Sequence, residues 1–109
     1  MLGDPYTLEY TAQFRDDIAE AIGYITSKLE NPLAAQKLKD DVERDVLERS
    51  FAPLSVAPCF TDEATGDVYY PIYTGNFITF YVVIDKVIEV RALSMPIGIL
   101  LHICRKFSA

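Results

Sequence analysis

The sequence predicts an α+β fold: an N-terminal strand, an antiparallel helical hairpin, a three-stranded antiparallel β-meander and a short C-terminal helix. Three observations carry this. Residues 68–93 are rich in β-branched and aromatic side chains, interrupted only by the turn-forming Thr74-Gly75-Asn76 and Asp85-Lys86. Upstream, the apolar period is two in residues 6–11 and becomes helical from Ile18 onward. The 109 residues, 50% apolar and 24% charged, suit a single domain spanning residues 1–109 and are too apolar for disorder.

Tyr6-Thr7-Leu8-Glu9-Tyr10-Thr11 alternates bulky with polar side chains, so Tyr6, Leu8 and Tyr10 are expected on a buried strand face. Ile18, Ala21, Ile22, Ile25 and Leu29 then trace one stripe of a helix. Asp16, Asp17 and Glu20 near its start and Lys28 near its end suit the helix dipole. Asn31-Pro32 ends that helix, and Pro32 opens the next. Leu38, Val42 and Val46, with Ala34, Ala35 and Leu47, form the second apolar stripe. Its opposite face is charged and predicts solvated pairs such as Asp40–Arg44 and Asp45–Arg49. So short a link between two helices forces them antiparallel.

Residues 51–66 contain Pro53, Pro58 and Gly66 and read as a loop with at most a short extended piece. In the meander, Pro71 marks the first strand as an edge or as bulged. The apolar run of residues 77–84 suits a central strand covered on both faces, and residues 87–93 alternate again. Residues 97–107 are expected to form the final short helix, with Arg105 and Lys106 at its C-terminus.

Charge and composition exclude several functions. The net charge is −6, and residues 1–50 carry 11 acids against 6 bases. General nucleic-acid binding is therefore not expected. Residues 86–109 carry four bases, Lys86, Arg91, Arg105 and Lys106, against the single acid Glu89, so any nucleic-acid contact belongs there. No glycine-rich phosphate loop or ligand cluster is present, so neither cofactor nor metal is expected. Cys59 and Cys104 are 45 residues apart, which suits free, partly buried thiols better than a zinc site. The N-terminus lacks a signal-peptide pattern, and no run approaches the ~18 apolar residues a membrane span requires. A cytoplasmic protein with no membrane partner is the expectation.

Two segments resemble the RelE/ParE superfamily of bacterial type II toxin–antitoxin toxins, also described as plasmid stabilisation proteins. Phe14-Arg15-Asp16-Asp17-Ile18-Ala19-Glu20-Ala21-Ile22-Gly23-Tyr24-Ile25, followed by Leu29-Glu30-Asn31-Pro32-Leu33-Ala34-Ala35, is similar to the family's helical hairpin. Gly75-Asn76-Phe77-Ile78-Thr79-Phe80-Tyr81-Val82-Val83, followed by Val87-Ile88-Glu89-Val90-Arg91, is similar to its central β-hairpin. The resemblance spans residues 6–95. It implies a RelE-like fold and a toxin neutralised by a cognate antitoxin. It further implies one of two targets: messenger RNA, cleaved on the ribosome by a metal-independent interferase, or DNA gyrase, inhibited by binding. The expected arginines are mostly replaced, by Pro71, Ile72 and Tyr73 before the turn and by Ile78 after it. The competing expectation is a catalytically inactive binding module of this fold, able to self-associate.

The candidate site residues follow. Arg91 falls in the strand where the family places positive charge; its planar fork would bind a phosphate or an acidic partner. Otherwise it is a solvated strand residue paired with Glu89 or another acid. By alternation it should face away from both Val90 and Ala92. His102, the chain's single histidine, is the second catalytic candidate, as a displaced general acid. Between Leu101 and Ile103, it also suits a structural role. Tyr70, Tyr73, Arg91, Arg105 and Lys106 are the candidate contacts to a target or partner, with Tyr81 assigned to packing. The apolar tail Ile97-Gly98-Ile99-Leu100-Leu101-His102-Ile103-Cys104 must pack on the sheet or meet another chain.

Overall fold

A computed structural model describes residues 4–94. The expected C-terminal helix, with His102, Cys104, Arg105 and Lys106, lies outside the described residues. Strand β1 (Thr7–Tyr10) leads into helix α1 (Ala12–Ser27) and helix α2 (Pro32–Arg49). A short strand β2 (Phe60–Thr61) interrupts the following loop, and the meander comprises β3 (Val68–Thr74), β4 (Phe77–Ile84) and β5 (Val87–Ser94). The five strands form one sheet in the order β1-β5-β4-β3-β2. β1 runs parallel to β5, and the other pairs are antiparallel.

Local chemistry sets the boundaries. Thr11 caps α1 by accepting a hydrogen bond from the Phe14 N–H, and Asn31 caps α2 by accepting one from Ala34 at 3.1 Å. Between the helices, Glu30 takes a left-handed conformation (φ 48°) that reverses the chain. Gly75 (φ 57°) and Asp85 (φ 55°) do the same in the two-residue turns of the meander. α1 therefore ends before Leu29, which is 57% exposed and does not extend the predicted stripe. Leu47, too, is solvent-facing.

Both helices pack on one face of the sheet. Phe14, Ala21 and Ile25 of α1 and Ala35, Leu38, Val42 and Val46 of α2 meet Ile72, Tyr81, Ile88, Val90 and Leu93. Tyr6, Leu8 and Tyr10 pack against this core, as the alternation of the first strand predicts. On the other face, Ile78 and Phe80 are covered by Cys59, Phe60, Tyr69 and Ala92. β4 is thus the central strand, buried from Ile78 to Val82. Pro71 lies on the edge: β2 pairs only with Val68 and Tyr69, so the missing N–H breaks no ladder there.

Strand β5 carries a bulge. Phe80 pairs with Ala92 and Tyr81 with Val90, leaving Arg91 as the extra residue. The bulge shifts the side-chain phase. Ile88 and Val90 face the helices, Ala92 joins the far cluster with Ile78 and Phe80, and Leu93 returns to the helical side. The expectation that Ala92 shares a face with Val90 fails for this reason. The Thr11 N–H and hydroxyl both donate to the Val90 carbonyl, at 3.0 and 3.2 Å, and the hydroxyl also donates to the Arg91 carbonyl at 3.0 Å. One residue thus caps a helix and satisfies the acceptors the bulge leaves open.

Three sequence expectations are corrected. Asp45 and Arg49 do not pair: Asp45 accepts from the Thr74 hydroxyl at 2.7 Å, and Arg49 donates to the Pro71 carbonyl and to Tyr81 Oη. Arg44 is held by Asp41 and Asp45 instead of Asp40. Nor is Cys59 a free thiol; it is disulfide-bonded.

Candidate functional site

Two arginine-centred constellations stand on opposite sides of the sheet. The first surrounds Arg91. The bulge turns its side chain away from the helices, where Nε donates to Glu89 Oε1 at 2.9 Å. Nη1 donates to Asp67 Oδ2 at 2.6 Å and to Tyr69 Oη at 3.0 Å. The guanidinium also lies over the Tyr69 ring, 5.6 Å from its centre. Partial burial opposes the charge, but the bonds to Tyr69, Asp67 and Glu89 more than offset it and raise the guanidinium above its ordinary value. Arg91 in turn holds the Asp67 carboxyl below the usual carboxylate range. The charge of Arg91 is therefore balanced by two carboxylates, and an incoming phosphate would have to displace them.

The second constellation lies where the C-terminus of α2 meets β3. Arg49 Nη1 donates to the Pro71 carbonyl at 2.9 Å and to Tyr81 Oη at 3.1 Å, and the Tyr81 hydroxyl donates onward to the Pro53 carbonyl at 2.6 Å. Tyr81 is fully buried, and burial pushes its hydroxyl pKa up. Asp45, Glu48, Arg49, Ser55 and Tyr73 line an adjoining cleft of about 290 Å³. Among the described residues, Arg49 belongs to no ion pair, although Asp45 and Glu48 share the cleft with it.

These geometries place the sequence candidates separately. Tyr70 stacks on Tyr81, ring centres 5.4 Å apart, and packs on the core beneath the helices. Tyr73 is 60% exposed at the edge cleft. Arg91 is on the far face, and His102, Arg105 and Lys106 lie outside the described residues. Sequence reading missed Arg49, whose partners are 22 and 32 residues away, and Asp67, 24 residues from Arg91. Among the described residues, no group of three or more histidine, cysteine, aspartate or glutamate side chains could hold a metal ion. No helix there is long and apolar enough to cross a membrane.

No protein-family model and no curated protein sequence matches the chain. Solved structures do. A chain of the chromosomal ParDE TA system from P. aeruginosa superposes with a TM-score of 0.66 at 18% identity, covering 84% of this chain and 96% of that one. A chain of the toxin–antitoxin complex RelBE2 from Mycobacterium tuberculosis superposes with a TM-score of 0.55 at 19% identity, covering 84% and 99%. The protein has the RelE/ParE fold. Within this fold the two helices cover one sheet face, and Arg91 stands on the other with its charge already paired.

Proposed function

We propose that this chain is the toxin of a type II toxin–antitoxin module, neutralised by tight binding to a cognate antitoxin, and that it acts on DNA gyrase by binding. The observation that carries the reading is the superposition on nearly the whole of a ParDE chain. The state of Arg91 favours gyrase over ribosome-dependent cleavage of messenger RNA. Cleavage calls for positive charge free to stabilise a phosphorane, and this arginine is engaged by Asp67 and Glu89. Tyr73, exposed at the cleft beside Arg49, supplies an aromatic contact for a protein partner.

Induced expression in a bacterial host tests the proposal. Growth should stop, gyrase–DNA breaks should accumulate, and co-expression of the neighbouring antitoxin gene should restore growth. Cleavage of messenger RNA in the ribosomal A site, abolished by Arg91→Ala, would reassign the target. Unimpeded growth would leave the second reading, a catalytically inactive binding module, which the paired state of Arg91 also suits.

A further inference from the structure

We propose that the outer edge of β3 receives the C-terminus of an extended protein segment that ends in an apolar and then a basic residue, its terminal carboxylate held by Arg49. The inference is independent of the toxin reading. It rests on a wedge, an open edge and an arginine with donors to spare.

The wedge lies between β2 and β3. The two strands pair at Phe60–Tyr69 and Thr61–Val68, and the Cys59 N–H donates to the Tyr69 carbonyl. Beyond that bond the pairing ends. A cleft of about 370 Å³ opens there, walled by Val56, Ala57 and Pro58 on the incoming chain and by Pro71 and Tyr73 on β3.

The edge is open at one residue. Thr74 and Phe77 close a two-residue turn, so Thr74 and Ile72 aim their backbone groups at β4 and Tyr73 aims its own outward. Among the described residues, nothing bonds to the Tyr73 N–H or carbonyl. Pro71, the next residue on that edge, has no N–H, and its carbonyl is taken by Arg49. A strand entering antiparallel to β3 can therefore pair with Tyr73 but must stop at Pro71, where β2 also closes in. That geometry suits a chain end and excludes a strand that runs on.

Arg49 supplies what a chain end needs. Its Nη1 is fixed by the Pro71 carbonyl and Tyr81 Oη, and among the described residues its Nε and Nη2 donate to nothing. Those two groups lie side by side on the guanidinium and match the two oxygens of a carboxylate. Arg49 lines both the wedge and the cleft on the helical side, so its charge stands where the pairing edge stops.

Alternation assigns the side chains of the incoming segment. The residue opposite Tyr73 shares its face, where Val56 and Pro58 favour an apolar side chain. The last residue, opposite Ile72, faces the helical side and the cleft lined by Asp45 and Glu48. Asp45 is engaged by Arg44 and Thr74, so the exposed Glu48 is the acid that a terminal lysine would meet. That lysine also offsets the repulsion between Glu48 and the incoming carboxylate.

Calorimetric titration of the full chain with the peptide acetyl-Thr-Val-Leu-Lys, as free acid and as C-terminal amide, provides the test. The acid should bind about tenfold tighter than the amide, and Arg49→Gln should remove that preference. Glu48→Gln should weaken this peptide about threefold and leave acetyl-Thr-Val-Leu-Leu unchanged. In amide NMR the Tyr73 N–H should shift on binding. If Arg49→Gln fails to fold, the acid–amide comparison and the Tyr73 shift in the wild-type chain decide the matter. Equal affinity for acid and amide, no saturable binding of the acid, a preference that survives Arg49→Gln, or an unmoved Tyr73 amide would each overturn the proposal.

Discussion

Arg49 and Arg91 reach the same sheet from opposite sides and are used differently. Arg49 arrives from a helix and is held by neutral oxygens, a carbonyl and a phenol, above a closely packed aromatic core. Arg91 arrives from a bulged strand and is held by two carboxylates on a face that a small cluster covers. The difference separates two ways of stabilising a surface. Under the helices, apolar contact supplies the free energy and hydrogen bonds fix the alignment. On the far face, charge pairs hold groups in place but add little stability in contact with water.

The sharpest way to break this contrast is to cut the core. Ile88→Ala removes a side chain that is 1% exposed under the helices and should cost about 3 kcal/mol in urea unfolding. Tyr81→Phe keeps the ring but leaves the Pro53 carbonyl without its donor and Arg49 with one acceptor fewer. A loss of about 1–2 kcal/mol is expected, read from the same transition. Arg91→Ala on the far face should cost no more than about 1 kcal/mol. Its clearer signature is pH. The folded Asp67 carboxyl titrates below its ordinary value of 3.8, so its pairing with Arg91 contributes above that pH and is lost as pH falls through the folded value. Carboxyl NMR should show the Asp67 midpoint rising in the variant, and the stability gap to wild type should narrow below pH 3.8. The smallest effect has the opposite sign. Among the described residues, the Thr79 hydroxyl is buried without a partner, so Thr79→Val should stabilise by up to about 1 kcal/mol in thermal unfolding.

What was legible in the sequence was local. Alternation and continuous apolar runs located all three meander strands, because side-chain period reports directly on which faces are covered. Asn31-Pro32 located the helical hairpin for an equally local reason, a cap followed by a fixed φ. Pairings between distant segments were not legible. Nothing in Thr7 to Tyr10 announces a parallel partner in β5, and nothing near Arg49 points to Pro71 or Tyr81. The bulge at Arg91 hid for a different reason: an inserted residue leaves composition intact and changes only the phase, which is visible once Ala92 and Leu93 are seen on opposite faces. Of the candidate site, Arg91 and its bond to Glu89 were foreseen, two residues apart. Asp67 and Tyr69 were not, because the chain returns to Arg91 only after the sheet has assembled.

The bond from Thr11 to Val90 also sets a clock. Its ends are 79 residues apart, and among the described residues β5 is the one strand beside β1. At ~5–20 residues per second, a ribosome takes about 4–16 seconds to make that stretch. During that interval the newborn helical hairpin has its apolar stripe but no sheet to lay it on. The first strand emitted must wait for the last described strand, so the chain becomes a finished molecule in one late step instead of growing into it.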